Sequence, residues 1–540
     1  MVIAVMVSRQ RGQRRQNYKT SMIALNHRHI HFEVRIKDRA DLHCNRGDNL
    51  DKAPTKYPCF VLNFNDGWND YTYKNWFGLI YFEGEDNYTN LGELKLMTTK
   101  GAVMEMVPES FESLDDTFCS VGLDRLYYQK LRSNFNTDDC LFVLNILHDC
   151  AMNVHTFESF KGTLEFDTSL YREEESKRAI REGRYIIHDV SLLDAYAYGY
   201  NYHAPYSKIE EHITNWKVPF LYEPKPFQRV AGIIGENGTG KTELFLELIR
   251  EMTGNGSKGS FEKSPLFSSV TAISTTPYDG YEEIESRRWD MPYVACSLEQ
   301  NPKETIARLE NGISKILDQG LFSGSSMLSI YEDFLENLLG PVFFNTIFNL
   351  PNGTADLDPD EKPKLDKEEL EKEVPLLSSG QLHLLTLITH ICANVHYDSL
   401  FLIDEPEVHL HPRAIMQFFF HLESLLRRFQ SYAVIATHSP LVIREIPGNL
   451  VSVIKKMDGD VALIENIGME TFGEDVTLLY REIFGYDESE SCFRLTVKKL
   501  ARKKSFEEII ETLESENMPL SLNARFTIRN ILSGMNHAED

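Results

Sequence analysis

Ile30, Phe32, Val34 and Ile36 alternate with polar residues, the period of a half-buried strand. The runs 59–64, 76–82 and 91–97 read as further strands, divided by Asn, Asp and Gly turns. Residues 27–100 are thus expected to form an antiparallel sheet. The pattern then turns helical over 121–131, 139–150 and 171–182, with Gly183 placed as a C-cap. Strand character returns in 196–202, where tyrosines alternate; they suit a sheet face, or a surface that stacks on a base. Four later runs, 230–234, 268–274, 400–404 and 432–437, are apolar without alternation, as in strands buried on both faces. Helices are expected over 302–317, 327–339, 505–515 and 522–532. In the last of these Ala524, Ile528, Ile531 and Leu532 form an apolar stripe, fit for packing on the core or for docking a partner.

Composition narrows the class. A chain of 540 residues with 42% hydrophobic residues can bury several cores. No stretch reaches the roughly 18 apolar residues of a membrane span. The apolar opening of the chain precedes its basic residues, the wrong order for a secretory signal. The eight cysteines form no C-x-x-C pair, which points to reduced thiols and a cytoplasmic protein. A formal net charge of −25 argues against a general nucleic-acid coat, since non-specific affinity comes from Lys and Arg neutralising phosphates. Two basic patches remain, 9–15 and 498–504; the first reads as a disordered tail and the second as a solvated helix face. The histidines of 29–31 lie on the polar side of their strand, where a solvated face explains them as well as a metal would. Nothing else in 1–220 has the spacing of a catalytic or metal constellation.

The chemistry is concentrated further on. Gly235-Glu236-Asn237-Gly238-Thr239-Gly240-Lys241-Thr242 follows an apolar run and opens a helical one, the strand–loop–helix context of a phosphate-binding loop. Its glycines let backbone N–H groups curl around phosphates, and the helix N-terminus adds partial positive charge. Lys241 is expected on the β- and γ-phosphates of ATP, and the Thr242 hydroxyl on Mg2+. Three short motifs come later in fixed order. Leu377-Ser378-Ser379-Gly380-Gln381 opens a helix, where Ser378, Ser379 and the Gly380 amide form an anion-binding nest. Asp404-Glu405 ends a buried strand; Asp404 would hold Mg2+ through water and Glu405 would polarise the attacking water. His438 ends another strand, within reach of a γ-phosphate. In a parallel α/β sheet such strand ends converge on one crevice. Each motif alone has an ordinary structural explanation; four in this order do not.

With these motifs the chain resembles the ABC-type ATPases, in particular their non-transporter branch with the SMC, RecF and OLD proteins. The form Asp404-Glu-Pro-Glu-Val-His-Leu-His-Pro412 is in the RecF and OLD style. The resemblance covers 220–450 with specific motifs and the flanks loosely. It implies an α/β head, a mixed sheet with helices on both faces. It also implies an ATP-sandwich dimer, or higher oligomer, in which the 377–381 segment of one copy faces the ATP of the other. The family's glutamine between loop and signature has no counterpart in Ser274-Thr-Thr-Pro-Tyr-Asp279.

Between Thr242 and Leu377 there is no sustained heptad pattern, so a long SMC-type arm is not expected. A transporter subunit needs no N-terminal module of this size. An OLD-type nuclease carries a Toprim domain for which 441–540 leaves no room, although Asp458 and Asp460 are spaced D-x-D. No H-N-H pattern is present. The chain divides into four regions: a basic, disordered tail 1–26; a β-rich then helical region 27–220, partly the family's β-subdomain; an ATPase core 221–450 with an acidic loop 351–373; and a helical, partner-docking region 451–540. The arrangement is similar to the standalone ATPases of bacterial anti-phage systems, the Septu type that also accompanies some retrons. That resemblance implies regulation of a separate HNH-type nuclease, with a reverse transcriptase and its nucleic acid as a further partner. A RecF-like ATPase that clamps DNA is the alternative, and an unrecognised nuclease in 27–220 a second one.

Overall fold

Seven strands build the central sheet, in the spatial order Tyr293–Ser297, Val270–Ser274, Leu400–Asp404, Tyr432–Thr437, Val230–Ile234, Val451–Met457 and Val461–Asn466. The computed structural model describes residues 23, 25, 30–35, 54–64, 73–85, 87–172, 174–191, 195–207, 213–221, 224–275, 279–297, 302–319, 321–322, 325–350, 353–356, 363–457, 461–485, 491–515 and 518–536. The first six strands run parallel and the last turns back antiparallel. The four apolar runs that lack alternation supply its middle strands, and every residue of those strands is buried. This is what helices on both faces of a parallel sheet require. Register aligns the strand ends: Asp404 pairs with Ala436, and Thr437 with Ile234. Three chain segments therefore leave the sheet side by side at its carboxyl ends.

The expected boundary at residue 451 cuts through this sheet. Val451–Met457 pairs in parallel with Val230–Ile234, and Val461–Asn466 completes a hairpin with it. Leu479 and Ile483, on the helix Val476–Phe484, are buried in the same core. The boundary at 220 moves the other way. Tyr198–Tyr202, Thr214–Val218 and Ser260–Phe261 form an antiparallel three-stranded sheet that packs on the central core. Tyr196, Tyr198, Tyr200 and Tyr202 are all buried there, so none presents a ring to a base. The Trp216 indole donates to the Ser452 hydroxyl at 3.2 Å, tying this small sheet to the central one.

The N-terminal sheet has six strands but is mixed. His31–Arg35 runs parallel to Cys59–Phe64, while Trp76–Gly84, Asn87–Thr98 and Phe118–Gly122 continue antiparallel. Residues 27–29 and 36 of the expected first strand lie outside the described residues. The helix expected from 121 starts at Arg125, because Phe118–Gly122 is a strand and Asp124 caps the helix by accepting from the Tyr127 amide. Gly183 is no C-cap. It lies inside the helix Glu174–His188, where a Cβ would meet Ala151 and the Tyr128 ring at 3.0 Å. A close helix contact, and not a chain reversal, requires glycine here.

Two expected loops and tails gain structure. Within the acidic stretch, Asp366 accepts from the Glu368 and Glu369 amides and starts the helix Lys367–Glu373. At the C-terminus, helices Cys492–Ala501, Phe506–Leu513 and Leu522–Asn536 enclose their own small core around Val497, Ile509 and Ile528. The apolar stripe of the last helix is spent there: Ile528 is fully buried, with Ile531 and Leu532 packed beside it.

Candidate functional site

The phosphate loop lies between Val230–Ile234 and the helix Lys241–Met252. Gly238 and Gly240 have φ of 79° and 94°, which L side chains resist. A Cβ at Gly240 would also run into the Tyr206 hydroxyl, which donates to the Thr239 carbonyl at 2.8 Å and braces the loop from behind. Lys241 is buried, with its ammonium donating to the carbonyls of Gly235 and Glu236 at 3.1 and 3.2 Å. Gly235 leans on the neighbouring strand through an N–H to the Thr437 carbonyl.

Tyr432–Thr437 separates the loop's strand from Leu400–Asp404, so His438 emerges between the phosphate loop and the two carboxylates. Asp404 is buried, and its Oδ2 accepts from Thr242 Oγ1 at 2.7 Å and from the Tyr281 hydroxyl at 3.0 Å. Burial raises its pKa to about 6, while the Thr242 and Tyr281 hydrogen bonds hold it down and the Asp279 and Glu405 charges add to the rise. Its Oδ1 is buried with no protein partner. A buried carboxylate oxygen without a protein donor, beside a threonine hydroxyl, fits a hard divalent cation.

Glu405 comes next at φ 49°, a left-handed turn that breaks the strand's alternation and swings the side chain toward the crevice. Its amide donates to the Ala436 carbonyl at 2.8 Å. Its Oε1 lies 3.9 Å from the Lys241 ammonium and 3.3 Å from His438 Nδ1. The fold thus brings together Lys241, Thr242, Asp404, Glu405 and His438, which the sequence spreads over some two hundred positions.

The Ser378 segment stands differently. Ser378 is the N-cap of the helix Ser379–Asn394, and a capping box joins it to Gln381: the Ser378 amide donates to Gln381 Oε1 at 3.0 Å. The Gln381 side chain is therefore engaged within its own helix. A Cβ at Gly380 would sit 2.8 Å from the His409 carbonyl oxygen, and the His383 ring lies 3.0 Å from the Pro406 carbonyl. Within one copy, this helix start abuts the turn after Glu405.

Two residues of the site escape sequence reasoning. Glu407 is buried; it accepts from the Thr437 hydroxyl and, at 3.2 Å, from the His438 amide, and it lies 3.5 Å from His438 Nδ1. Its pKa is raised, by burial first, against the pull of the Thr437 bond and the His438 charge. It was visible in the Asp404-Glu-Pro-Glu407 run, but only the fold shows what it grips. Tyr281 had no local signal; it comes from the turn after Val270–Ser274, the strand beside Leu400–Asp404. Within the stretch where a glutamine is absent, residues 276–278 lie outside the described residues, and Ser274 donates to the Asp279 carboxylate. Away from the crevice, strand pairing places Cys59 opposite His31, and with Glu33 their ligand atoms lie within 4.8 Å of one another. Glu33 Oε1 already accepts from the Thr55 amide at 2.8 Å and from its hydroxyl. Asp458 and Asp460 lie outside the described residues.

Among the described residues no helix is long and apolar enough to cross a membrane. The family model described as AAA domain, putative AbiEii toxin, Type IV TA system matches residues 316–444, which hold the Ser378 segment, the two carboxylates and His438 but not the phosphate loop. Protein ea59 of Escherichia phage lambda is 23% identical over 515 residues, covering 86% of this chain and 93% of its own length. Among solved structures, an ATP-binding cassette of an ABC transporter in its ADP conformation is 16% identical at a TM-score of 0.28, covering 54% of this chain and 97% of its own. The SMC head domain from Thermotoga maritima is 13% identical at a TM-score of 0.27, covering 51% and 100%. Phosphate loop, buried parallel strands and the helix that Lys241 opens together give the chain a P-loop α/β fold.

Proposed function

We propose that this chain binds and hydrolyses ATP, dimerises around it, and controls a separate effector, a nuclease of the HNH type, in anti-phage defence. One observation carries the enzymatic part: Lys241, Thr242, Asp404, Glu405 and His438 meet at the carboxyl ends of three adjacent strands. Lys241 neutralises phosphate charge. Thr242 and Asp404 would hold Mg2+, which when bound would offset phosphate charge. Glu405, set between the Lys241 ammonium and the His438 ring, orients and deprotonates the attacking water. Glu407 keeps the His438 backbone and ring in place. The Ser379 and Gly380 amides at the helix start of a second copy complete each site.

The effector part is supported by the motif order and by the folded tail, whose exposed Leu522 and Phe526 offer apolar surface beyond its small core. The working division is a head of 195–485, an N-terminal unit before it and a tail of 491–536 after it.

Sedimentation of Glu405→Gln with Mg2+–ATP tests the first part: a dimer is expected, and Lys241→Ala should remain a monomer. Co-purification with a nuclease encoded beside this chain tests the second. The truncation belongs at residue 491, since a cut at 470 would remove Leu479 and Ile483 from the central core. A complex that survives loss of 491–540 refutes docking through the tail.

A further inference from the structure

Strand pairing sets three unlike donors on one face of the N-terminal sheet. His31 and Cys59 are partners in the parallel pair of His31–Arg35 with Cys59–Phe64, so their side chains leave the sheet on the same side. Glu33, two residues on from His31, joins them by the alternation of the strand. Phe32 and Phe60 point the other way, into the core of this unit, with ring centroids 5.1 Å apart. The ligating atoms of His31, Glu33 and Cys59 all lie within 4.8 Å of one another.

Burial removes the explanation of a solvated polar face. Only 17% of the His31 side chain and 15% of the Glu33 side chain are exposed, and Cys59 is fully buried beside Val61 and Phe82. His31 Nε2 is buried and meets no hydrogen-bond partner among the described residues. Glu33 Oε1 stands 3.6 Å from it, too far for a hydrogen bond. An imidazole nitrogen in that position carries a desolvation cost that a ligand would offset. The Cys59 thiol donates weakly to the Phe60 carbonyl at 3.3 Å. Glu33 is held from behind, where Oε1 accepts from the Thr55 amide and hydroxyl. Arg35, next on that face, sets its guanidinium 5.7 Å from the Phe82 ring centroid.

We propose that His31, Glu33 and Cys59 bind a zinc ion, with water in the fourth tetrahedral position. Donor chemistry selects the metal: Mg2+ and Ca2+ take oxygen ligands, whereas one imidazole, one thiolate and one carboxylate suit zinc. Zinc at about 2.0–2.3 Å from each donor sets them roughly 3.3–3.6 Å apart. The separation of His31 Nε2 from Glu33 Oε1 already meets that spacing. Thr55 would act as the outer-shell partner that orients a ligating carboxylate. Bound zinc would tie together two strands that the chain separates by residues 36–58, so the N-terminal unit is the part it would stabilise. The site belongs to a different sheet from the Asp404 crevice and does not depend on the ATPase reading.

The test loads the full, untagged chain with Zn2+ in excess Mg2+, so that a cation site at Thr242 and Asp404 is not counted. Unbound metal is removed by gel filtration and the retained zinc is measured. The wild type should retain about one zinc per chain. Cys59→Ser and His31→Gln should each weaken binding at least about tenfold, since losing even an outer-shell partner costs about 10–100-fold. Co2+ in place of zinc reads the sulfur directly. A thiolate-to-metal charge-transfer band should appear in the wild type, vanish in Cys59→Ser and persist in Cys492→Ser, whose cysteine is exposed. His31→Gln keeps the experiment decisive if Cys59→Ser folds poorly. A wild type that retains no zinc overturns the site, and so does a cobalt spectrum without the thiolate band. A band that survives in Cys59→Ser, or zinc affinity unchanged in His31→Gln, overturns it equally.

Discussion

Asp404 offers the sharpest quantitative test of the site. Its carboxyl is buried, and its pKa stands at about 6 against an ordinary 3.8. The folded pKa is the higher one, so the folded protein keeps a proton that the unfolded chain has lost. The stabilisation this gives is fully present below pH 3.8 and is lost as pH rises through about 6. Moving the carboxyl over that interval corresponds to about 3 kcal/mol, or about a hundredfold in the opening equilibrium of the central sheet. Asp404→Asn removes the titration but leaves an oxygen to accept from Thr242 and Tyr281. It adds a buried amide without a partner, which costs about 1–3 kcal/mol regardless of pH. Native-state exchange of the Leu400–Asp404 amides in EDTA, corrected for intrinsic rates, reads that equilibrium. Between pH 4 and pH 7.5 the wild type should lose about a hundredfold in protection relative to the Asn variant. A cation should then restore it: calorimetry in two buffers at pH 6 should show roughly half a proton released per Mg2+ bound, falling toward zero by pH 8. A wild-type-to-variant ratio that stays flat with pH would refute the burial of an uncompensated carboxylate here.

The other predictions are simpler. Lys241→Ala should abolish nucleotide binding in equilibrium dialysis, because the buried ammonium is the charge at the centre of the loop. Glu405→Gln should retain ATP and hydrolyse it at least about a hundredfold more slowly, and normal turnover in a phosphate-release assay would remove Glu405 from the role of base. Glu407→Ala leaves the buried Thr437 hydroxyl and the His438 amide without their acceptor; thermal melting should register a loss of about 1–3 kcal/mol, and hydrolysis should fall with nucleotide affinity nearly unchanged. Gly183→Val should destabilise the N-terminal unit by about 1–3 kcal/mol in urea, while nucleotide binding by the head is unaffected.

Much of the fold was legible because the hydrophobic pattern states what covers each strand. Continuous apolar runs at 230–234, 268–274, 400–404 and 432–437 read as strands buried on two faces, and the strands Val230–Ile234, Val270–Ser274, Leu400–Asp404 and Tyr432–Thr437 lie within them. The helix starts were less legible where a strand ended inside the same apolar stretch, as at Phe118–Gly122. Glycine at 183 reads as a terminator in one dimension, and its real reason, the Tyr128 ring against its Cα, is a contact across fifty-five positions. The domain borders failed for the same cause. Nothing local in Val451–Asn466 or in Tyr198–Tyr202 says which sheet each will join.

For the site, the division tracks the range of the physics. A phosphate loop is local: glycines for left-handed backbone, a lysine and a threonine at a helix start, all within eight positions. The Asp404-Glu405 pair is likewise marked by a buried strand ending in two charges. So the sequence by itself determined where a phosphate-loop pattern and a strand-end carboxylate pair stand in this chain. Tertiary structure alone decided the rest: that Tyr432–Thr437 wedges His438 between loop and carboxylates, that Glu407 grips Thr437, and that Tyr281 shares an oxygen with Thr242. Those are contacts between segments up to about two hundred positions apart, set by strand order and register, and a chain read in order carries no local mark of either.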